Sequence, residues 1–207
     1  MKKLLKITTF SLFSLIAFYN TTNAQNKKEF DKRQSISFGV VQPILGGFNV
    51  TFTQQNKRFL FAYSHGTMLH LDRLNGAFKS KSAKKYQISQ ITYISTGFDL
   101  GIRLLPDLSI RGEWKWHLND LEHPDGQKIQ YHTLTIGPSI YHQWHPFKKA
   151  KGLLSHILVE QSIRWWPVVY SSLDDYAYNF INKEGEIERF THDKGDLFVA
   201  ASIGWTF

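Results

Sequence analysis

The sequence predicts an all-β chain, an eight-stranded antiparallel up-and-down transmembrane β-barrel. Three observations predict it. Eight segments alternate in residue type with the two-residue period of a strand. Across them one face is built of Trp, Leu, Ile, Val and Phe while the other collects Asp, Glu, Arg and Lys. The connections alternate between short and long, as the turns and loops at the two ends of a spanning barrel do.

The clearest alternation closes the chain. In 195–207, Leu197, Val199, Ala201, Ile203, Trp205 and Phe207 fall on one face. Asp196, Phe198, Ala200, Ser202, Gly204 and Thr206 fall on the other and are mostly small or polar. The opposite terminus reads as a secretory signal over 1–24. Lys2, Lys3 and Lys6 form its basic region, an apolar stretch follows from Ile7 to Tyr19, and Thr22, Asn23 and Ala24 form a small-residue cleavage site. That apolar stretch is too short for a spanning helix. The chain has no Cys, so neither a lipid-anchored cysteine nor a disulfide is expected. The formal charge of +8 falls to +5 without the three leader lysines. The densest basic cluster, Lys79, Lys81, Lys84 and Lys85, reads as a solvated loop, and no nucleic-acid partner is expected. Six Trp, nine Tyr and sixteen Phe, with no later apolar run of helical span, point to a closed barrel.

Residues 25–34 are polar and charged, a periplasmic lead-in, and 35–207 form the barrel. The first strand covers 35–45, with Ile36, Phe38, Val40 and Ile44 on one face, and Gly46-Gly47 turns the chain. The second covers 48–55, where Phe48, Val50 and Phe52 alternate with Asn49, Thr51 and Thr53. After a turn at Asn56-Lys57 the third strand covers 58–70, and 71–87 form a long polar loop. The fourth, 88–105, sets Ile94, Phe98, Leu100, Ile102 and Leu104 against Ser95, Gly97, Asp99, Gly101 and Arg103, and turns at Pro106-Asp107. The fifth, 108–118, sets Leu108, Ile110, Trp114, Trp116 and Leu118 against Ser109, Arg111, Glu113, Lys115 and His117. A loop over 119–128 leads to the sixth strand, 129–145, and a basic turn over 146–152 to the seventh, 153–170. The loop 171–194, acidic near Asp174 and Asp175, precedes the eighth.

The two faces settle which side is inward. A water-soluble barrel puts its apolar side chains inside. Here that arrangement would bury Asp99, Arg103, Arg111, Glu113, Lys115, Glu160 and Arg164 on the polar side or expose a large apolar belt to water. Facing the belt to lipid and the charges to a narrow lumen removes both costs, so these seven are expected to form a lumenal charge network that plugs the barrel. Trp144 and Trp205 are expected at the periplasmic rim, with Trp116, Trp165, Trp166 and Tyr170 toward the outer rim, as an aromatic girdle.

Chemistry is sparsely marked. Nine histidines show no metal-ligand spacing; His145 and His156 are the one pair that a strand hairpin brings near. Ser64 and His65 are adjacent, so they point to opposite faces and do not form a catalytic pair. No phosphate loop and no nucleophile elbow occurs. No catalytic residue, metal or cofactor is therefore assigned.

With its leader, strand count, loop alternation and a last strand ending Trp205-Thr206-Phe207, the mature chain resembles the small eight-stranded outer-membrane β-barrel proteins of Gram-negative bacteria. A leader running Asn23-Ala24-Gln25 is reminiscent of the Bacteroidota versions. The resemblance implies export to the outer membrane and recognition of Ile203, Trp205 and Phe207 by the barrel-assembly machinery. It also implies contact with outer-membrane lipid and lipopolysaccharide. The expected role is structural or surface-interacting, through loops that could meet a protein partner. A narrow porin-like channel and a lipid A-modifying enzyme are the alternatives.

Overall fold

The computed structural model describes residues 30–207, so the expected signal peptide at 1–24 and most of the lead-in lie outside the described residues. The strands are β1 (Arg33–Gly39), β2 (Phe48–Asn56), β3 (Phe59–His70), β4 (Ser89–Leu105), β5 (Leu108–Glu122), β6 (Lys128–Trp144), β7 (Ile157–Ser171), β8 (Ala177–Ile181), β9 (Ile187–Thr191) and β10 (Gly195–Thr206). Eight of them close a barrel in the order β1-β10-β7-β6-β5-β4-β3-β2, while β8 and β9 form a separate two-stranded sheet. Neighbouring strands are antiparallel, so the fold is the all-β up-and-down barrel expected from the alternation. Closure is made by β1 on β10, with Ile36 opposite Trp205 and Phe38 opposite Ile203. Both chain ends of the barrel lie at one mouth, the terminal mouth; the opposite one is the far mouth.

Several boundaries differ from the expected ones. β1 stops at Gly39, and the expected glycine turn is a loop over 40–47. Pro43 has no N–H for a ladder. The loop instead bonds to itself, Leu45 N–H to Val41 O at 3.2 Å and Gly47 N–H to Gln42 O at 3.0 Å, with Gly46 at a φ of 82°. At the tip of β5 and β6 the ladder continues to the pair Glu122 and Lys128, so the expected loop of 119–128 contracts to 123–127. β7 begins four residues late, because Gly152–His156 form a 3-10 turn. Length alternation therefore rests on the far-mouth loops 71–88 and 172–194; the terminal-mouth link 145–156 is longer than 123–127.

Those two long loops are folded. The first holds a helix, α1 (Lys81–Lys85), capped by Ser80, whose Oγ accepts from Ala83 N–H at 3.2 Å. The second holds the β8–β9 hairpin. They meet over the inward-facing ends of β5 and β6, where Ala83, Ile88, Leu121, Tyr131, Leu173, Phe180 and Phe190 make a buried apolar cluster. The apolar core of this chain thus sits at the far mouth, and the polar reading of loops 71–87 and 171–194 is corrected by their buried Ala83, Leu173, Phe180 and Phe190.

Inside the wall, small residues let strands approach. A Cβ at Gly137 would stand 1.8 Å from the Trp165 carbonyl oxygen. The β6–β7 ladder is interrupted there, between the pairs Thr135–Val168 and Ser139–Arg164, where Pro138 and Pro167 supply no N–H. Gly137→Ala should therefore destabilise the barrel by about 1–3 kcal/mol, the usual cost of an overpacked site. Urea unfolding measures it; an unchanged midpoint would show that the strands can separate freely at this point.

Candidate functional site

The interior is built by strand parity. On β5 the residues Ser109, Arg111, Glu113 and Lys115 are buried while Ile110 and Trp116 are exposed. Asp99 on β4 and Glu160 on β7 are also buried, and Arg164 on β7 is partly so. Of the seven residues expected to form one network, six converge in the middle of the barrel. Arg111 donates to Glu160 at 2.9 Å, and Lys115 Nζ lies 2.5 Å from Asp99. Glu113 stands 3.8 Å from Lys115 and 3.9 Å from Arg164 Nε. Three carboxylates thus face three cations. Without water to solvate them, such charges are tolerable only when paired and hydrogen-bonded.

Neutral side chains complete the layer. Gln143 donates to Glu160 at 3.0 Å and itself accepts from Gln55 at 2.8 Å. Ser64 Oγ accepts from Lys115 at 2.6 Å, and Tyr141 donates to Glu113 at 2.8 Å. The Tyr141 ring also lies beneath two guanidinium groups, 3.5 Å from Arg111 and 5.0 Å from Arg164. Glu113 stands opposite Gly137 in the ladder and Tyr141 opposite Ser109, so their contact is a diagonal one between the neighbouring strands β5 and β6, out of ladder register. Alternation places both side chains inward, but it does not give a partnership that reaches along the hairpin instead of straight across it.

The seventh residue, Arg103, is elsewhere. It sits at the terminal mouth and donates to three backbone carbonyls, Pro106 at 2.7 Å, Asp31 at 2.8 Å and Lys57 at 3.0 Å. It gathers the two tight turns and the entering chain, with the Phe30 ring 5.4 Å from its guanidinium carbon. His145 is 3.5 Å from Arg33 Nη1 at the same mouth. Among the described residues no group of three or more His, Cys, Asp or Glu side chains is placed to hold a metal ion.

On the outer surface, Trp144 and Trp205 lie near the terminal mouth with Ile203 and Phe207 beside them, and Trp116 and Trp165 lie further along the wall. All are exposed. Trp166 departs from the expected rim. It faces inward, and its ring meets Phe198 edge-on at 4.7 Å. Ser64 is bonded to Lys115 inside while His65 faces out beside Phe48, so they share no site.

The cap at the far mouth is fastened by polar contacts. Ser82 Oγ accepts from Thr191 N–H and donates to Thr191 O, both at 2.8 Å. His123 Nε2 lies 3.0 Å from Glu188, and the Tyr131 hydroxyl 2.8 Å from His192 Nδ1. Asp72 accepts from Ser89 at 2.6 Å and from Gln90 N–H at 3.1 Å, with Lys79 at 2.7 Å. Burial works to raise the Asp72 carboxyl, but Lys79 and these donors hold it below its ordinary 3.8. Hydrogen bonds from His123 and Asn182 lower the Glu188 carboxyl in the same sense. No family model and no curated protein matches this chain.

Glu160→Gln leaves Arg111 with only Asp99, 3.9 Å away, and the layer with one cation in excess; it should cost about 3–5 kcal/mol of stability in urea unfolding, whereas Arg111→Met combined with Glu160→Leu should recover most of it. For the cap, folded-state carboxyl values lie below the unfolded ones. Its stabilisation is therefore complete above the ordinary values of 3.8 and 4.5 and is lost as pH falls through the lower folded values. Amides of β8 and β9 should lose exchange protection below about pH 4, while the barrel strands keep theirs. Equal protection at pH 6 and pH 3 would mean that these carboxylates do not anchor the cap.

Proposed function

We propose that the chain is an integral outer-membrane β-barrel with a structural or surface-interaction role, its interior plugged by the charge layer and its working surface at the far mouth. The observation that carries this reading is the inverted distribution of polarity. Leu100 and Ile102 are each 51% exposed on the outer wall, whereas Asp99 and Arg111 are 1% and Glu113 0% exposed inside. In water such a wall would be a continuous sticky patch; in a bilayer it is the face a barrel must present.

In this reading Trp116, Trp144, Trp165 and Trp205 are girdle residues, and Ile203, Trp205 and Phe207 address the chain to the assembly machinery. Lipid and lipopolysaccharide are its surroundings. The cap offers lysines 81, 84 and 85 on α1 and the acidic Asp174 and Asp175 at the base of the hairpin to a partner. The porin-like alternative has less support. From Ser35, Thr53 and Gln55 across to Gln143, Leu158 and Glu160, the inward residues of the terminal half are buried, which leaves little room for a solute path.

Outer-membrane fractions containing the protein should give a band that shifts on heating in detergent gels; a soluble periplasmic protein would not shift. Ile110→Arg or Ile140→Arg, on the outer wall, should block assembly at a cost of about 2–4 kcal/mol near the midplane. Thr51→Arg, on the partly open inner face of β2, should assemble. Equal effects on both faces would refute the inside-out reading.

A further inference from the structure

Arg164 differs from the other interior cations. Arg111 and Lys115 each have a carboxylate at hydrogen-bond distance, and both terminal nitrogens of Arg103 donate to backbone carbonyls. Arg164 uses only Nε, which donates to Ser162 Oγ at 2.8 Å. Glu113 neutralises it from 3.9 Å without reaching it. Among the described residues, the two terminal nitrogens make no hydrogen bond. Rings hold the guanidinium in place, with the Tyr141, Trp166 and Phe198 centroids at 5.0, 5.4 and 6.0 Å. Contact with ring faces leaves the in-plane N–H fork free. Beside it, the indole Nε1 of Trp166 is a second buried donor without a partner.

The interior at the level of Arg164 and Phe198 is not tightly filled. Inward residues of the terminal half are buried, but Asn49, Thr51, Phe198 and Ala200, on the same parity toward the far mouth, are only partly so. There is also an entrance. The last bond of β1 to β10 is Val40 N–H to Ala201 O at 3.1 Å; the chain then turns to β3, where His70 N–H donates to Leu45 O at 2.9 Å. Among the described residues, no strand therefore pairs with 195–200 of β10 on that side. The outer rim of this notch is apolar, with Leu197 71% and Val199 54% exposed.

We propose that the half of the barrel interior in front of Arg164 is a binding chamber for an organic oxyanion, a carboxylate or phosphate monoester on an apolar body. The planar fork of Arg164 takes two oxygens of the head side by side, the geometry in which guanidinium binds such groups most strongly. Trp166 Nε1 offers a further donor, and Trp166 and Phe198 line the way for the body. Glu113 remains bonded to Tyr141, so the head does not have to displace it. The inference goes beyond the membrane reading, since the chamber lies inside the wall whatever surrounds it.

Calorimetric titration of the full barrel in phosphatidylcholine nanodiscs tests it, with octanoate, octyl phosphate, inorganic phosphate and octanol as probes. Insertion is checked separately by the heat-shifted band, so a barrel that inserts and does not bind overturns this inference alone. Saturable binding of one octanoate or octyl phosphate per barrel is expected, with none for octanol. Arg164→Gln should weaken it at least about tenfold, the scale of a lost charge-assisted pair. Ala200→Phe, which fills the chamber and leaves the charge layer intact, should weaken it comparably and serves if Arg164→Gln fails to insert. Lys128→Gln at the far tip should not matter. Inorganic phosphate binding as tightly as octyl phosphate would support the oxyanion site and assign it to a free anion; binding at least tenfold weaker would support a lipid-like ligand. No saturable binding, or an affinity unchanged from the wild-type barrel in Arg164→Gln and Ala200→Phe, would leave Arg164 as a solvated structural arginine and overturn the proposal.

Discussion

Burial of paired charge is the constraint on which this barrel depends. The residues that would form the core of a soluble barrel are here Asp99, Arg111, Glu113, Lys115 and Glu160, all buried. None can be left without its partner, because an unpaired charge in an interior of low dielectric costs several kcal/mol. The partners come from different strands: β4, β5 and β7 meet at the centre. A slip of one residue in any ladder would turn a strand's charges outward and its Leu and Ile residues inward. The network therefore fixes register as strongly as an apolar core does elsewhere. In the membrane reading the backbone ladder supplies the cohesion that apolar burial supplies in water.

The two mouths are closed by different physics. At the terminal mouth one side chain, Arg103, collects the carbonyls of two turns and of the incoming chain. Its burial is tolerated because carbonyl acceptors surround it. At the far mouth the closure is apolar. Phe180 and Phe190 are fully buried, supplied by the hairpin to meet Leu121 and Tyr131 on the barrel. Ser82 exchanges two hydrogen bonds with Thr191, so helix and hairpin form one unit. This small core has the composition of a water-soluble domain. It is built over wall residues whose inward face has changed from charged at Glu113 and Lys115 to apolar at Leu121.

That change explains what was legible in the sequence. Alternation and the sign of the two faces were enough for the strand count, the antiparallel order and the inward placement of the charged residues, because those depend on local period alone. The end of β1 was not legible by alternation, since Val40 and Ile44 continue the apolar pattern through a loop; Pro43 carried the signal against it. Trp166 looked like a girdle residue beside Trp165, although parity with Arg164 points it inward. The cap core was hidden for a different reason. Its members come from loops and strand tips far apart in sequence, and most sit between polar neighbours. The nearest local clue was the Asn182–Gly185 turn between Phe180 and Phe190, now seen as a hairpin in which Asn182 N–H bonds to Glu186 O at 2.9 Å.

The same strand, β10, sets the height of the wall in the membrane reading. Its outward face runs from Leu197, opposite Trp165, to Trp205, opposite Ile157. Those eight steps span about 26 Å along the strand, or about 20 Å across the bilayer at a tilt near 40°. This approaches the roughly 25 Å apolar band of membrane barrels. The aromatic pairs Trp165 and Trp205 then mark its two edges, and everything beyond Leu197 must stand in water. The hairpin, α1 and the apolar core beneath them all lie on that side. Their composition follows from the solvent each part meets: charge inside and apolar residues outside where lipid surrounds the wall, apolar inside and charge outside where water does. The notch beside residues 195–200 falls at that boundary, where water can satisfy the free edge of β10 from one side and lipid can cover Leu197 and Val199 from the other.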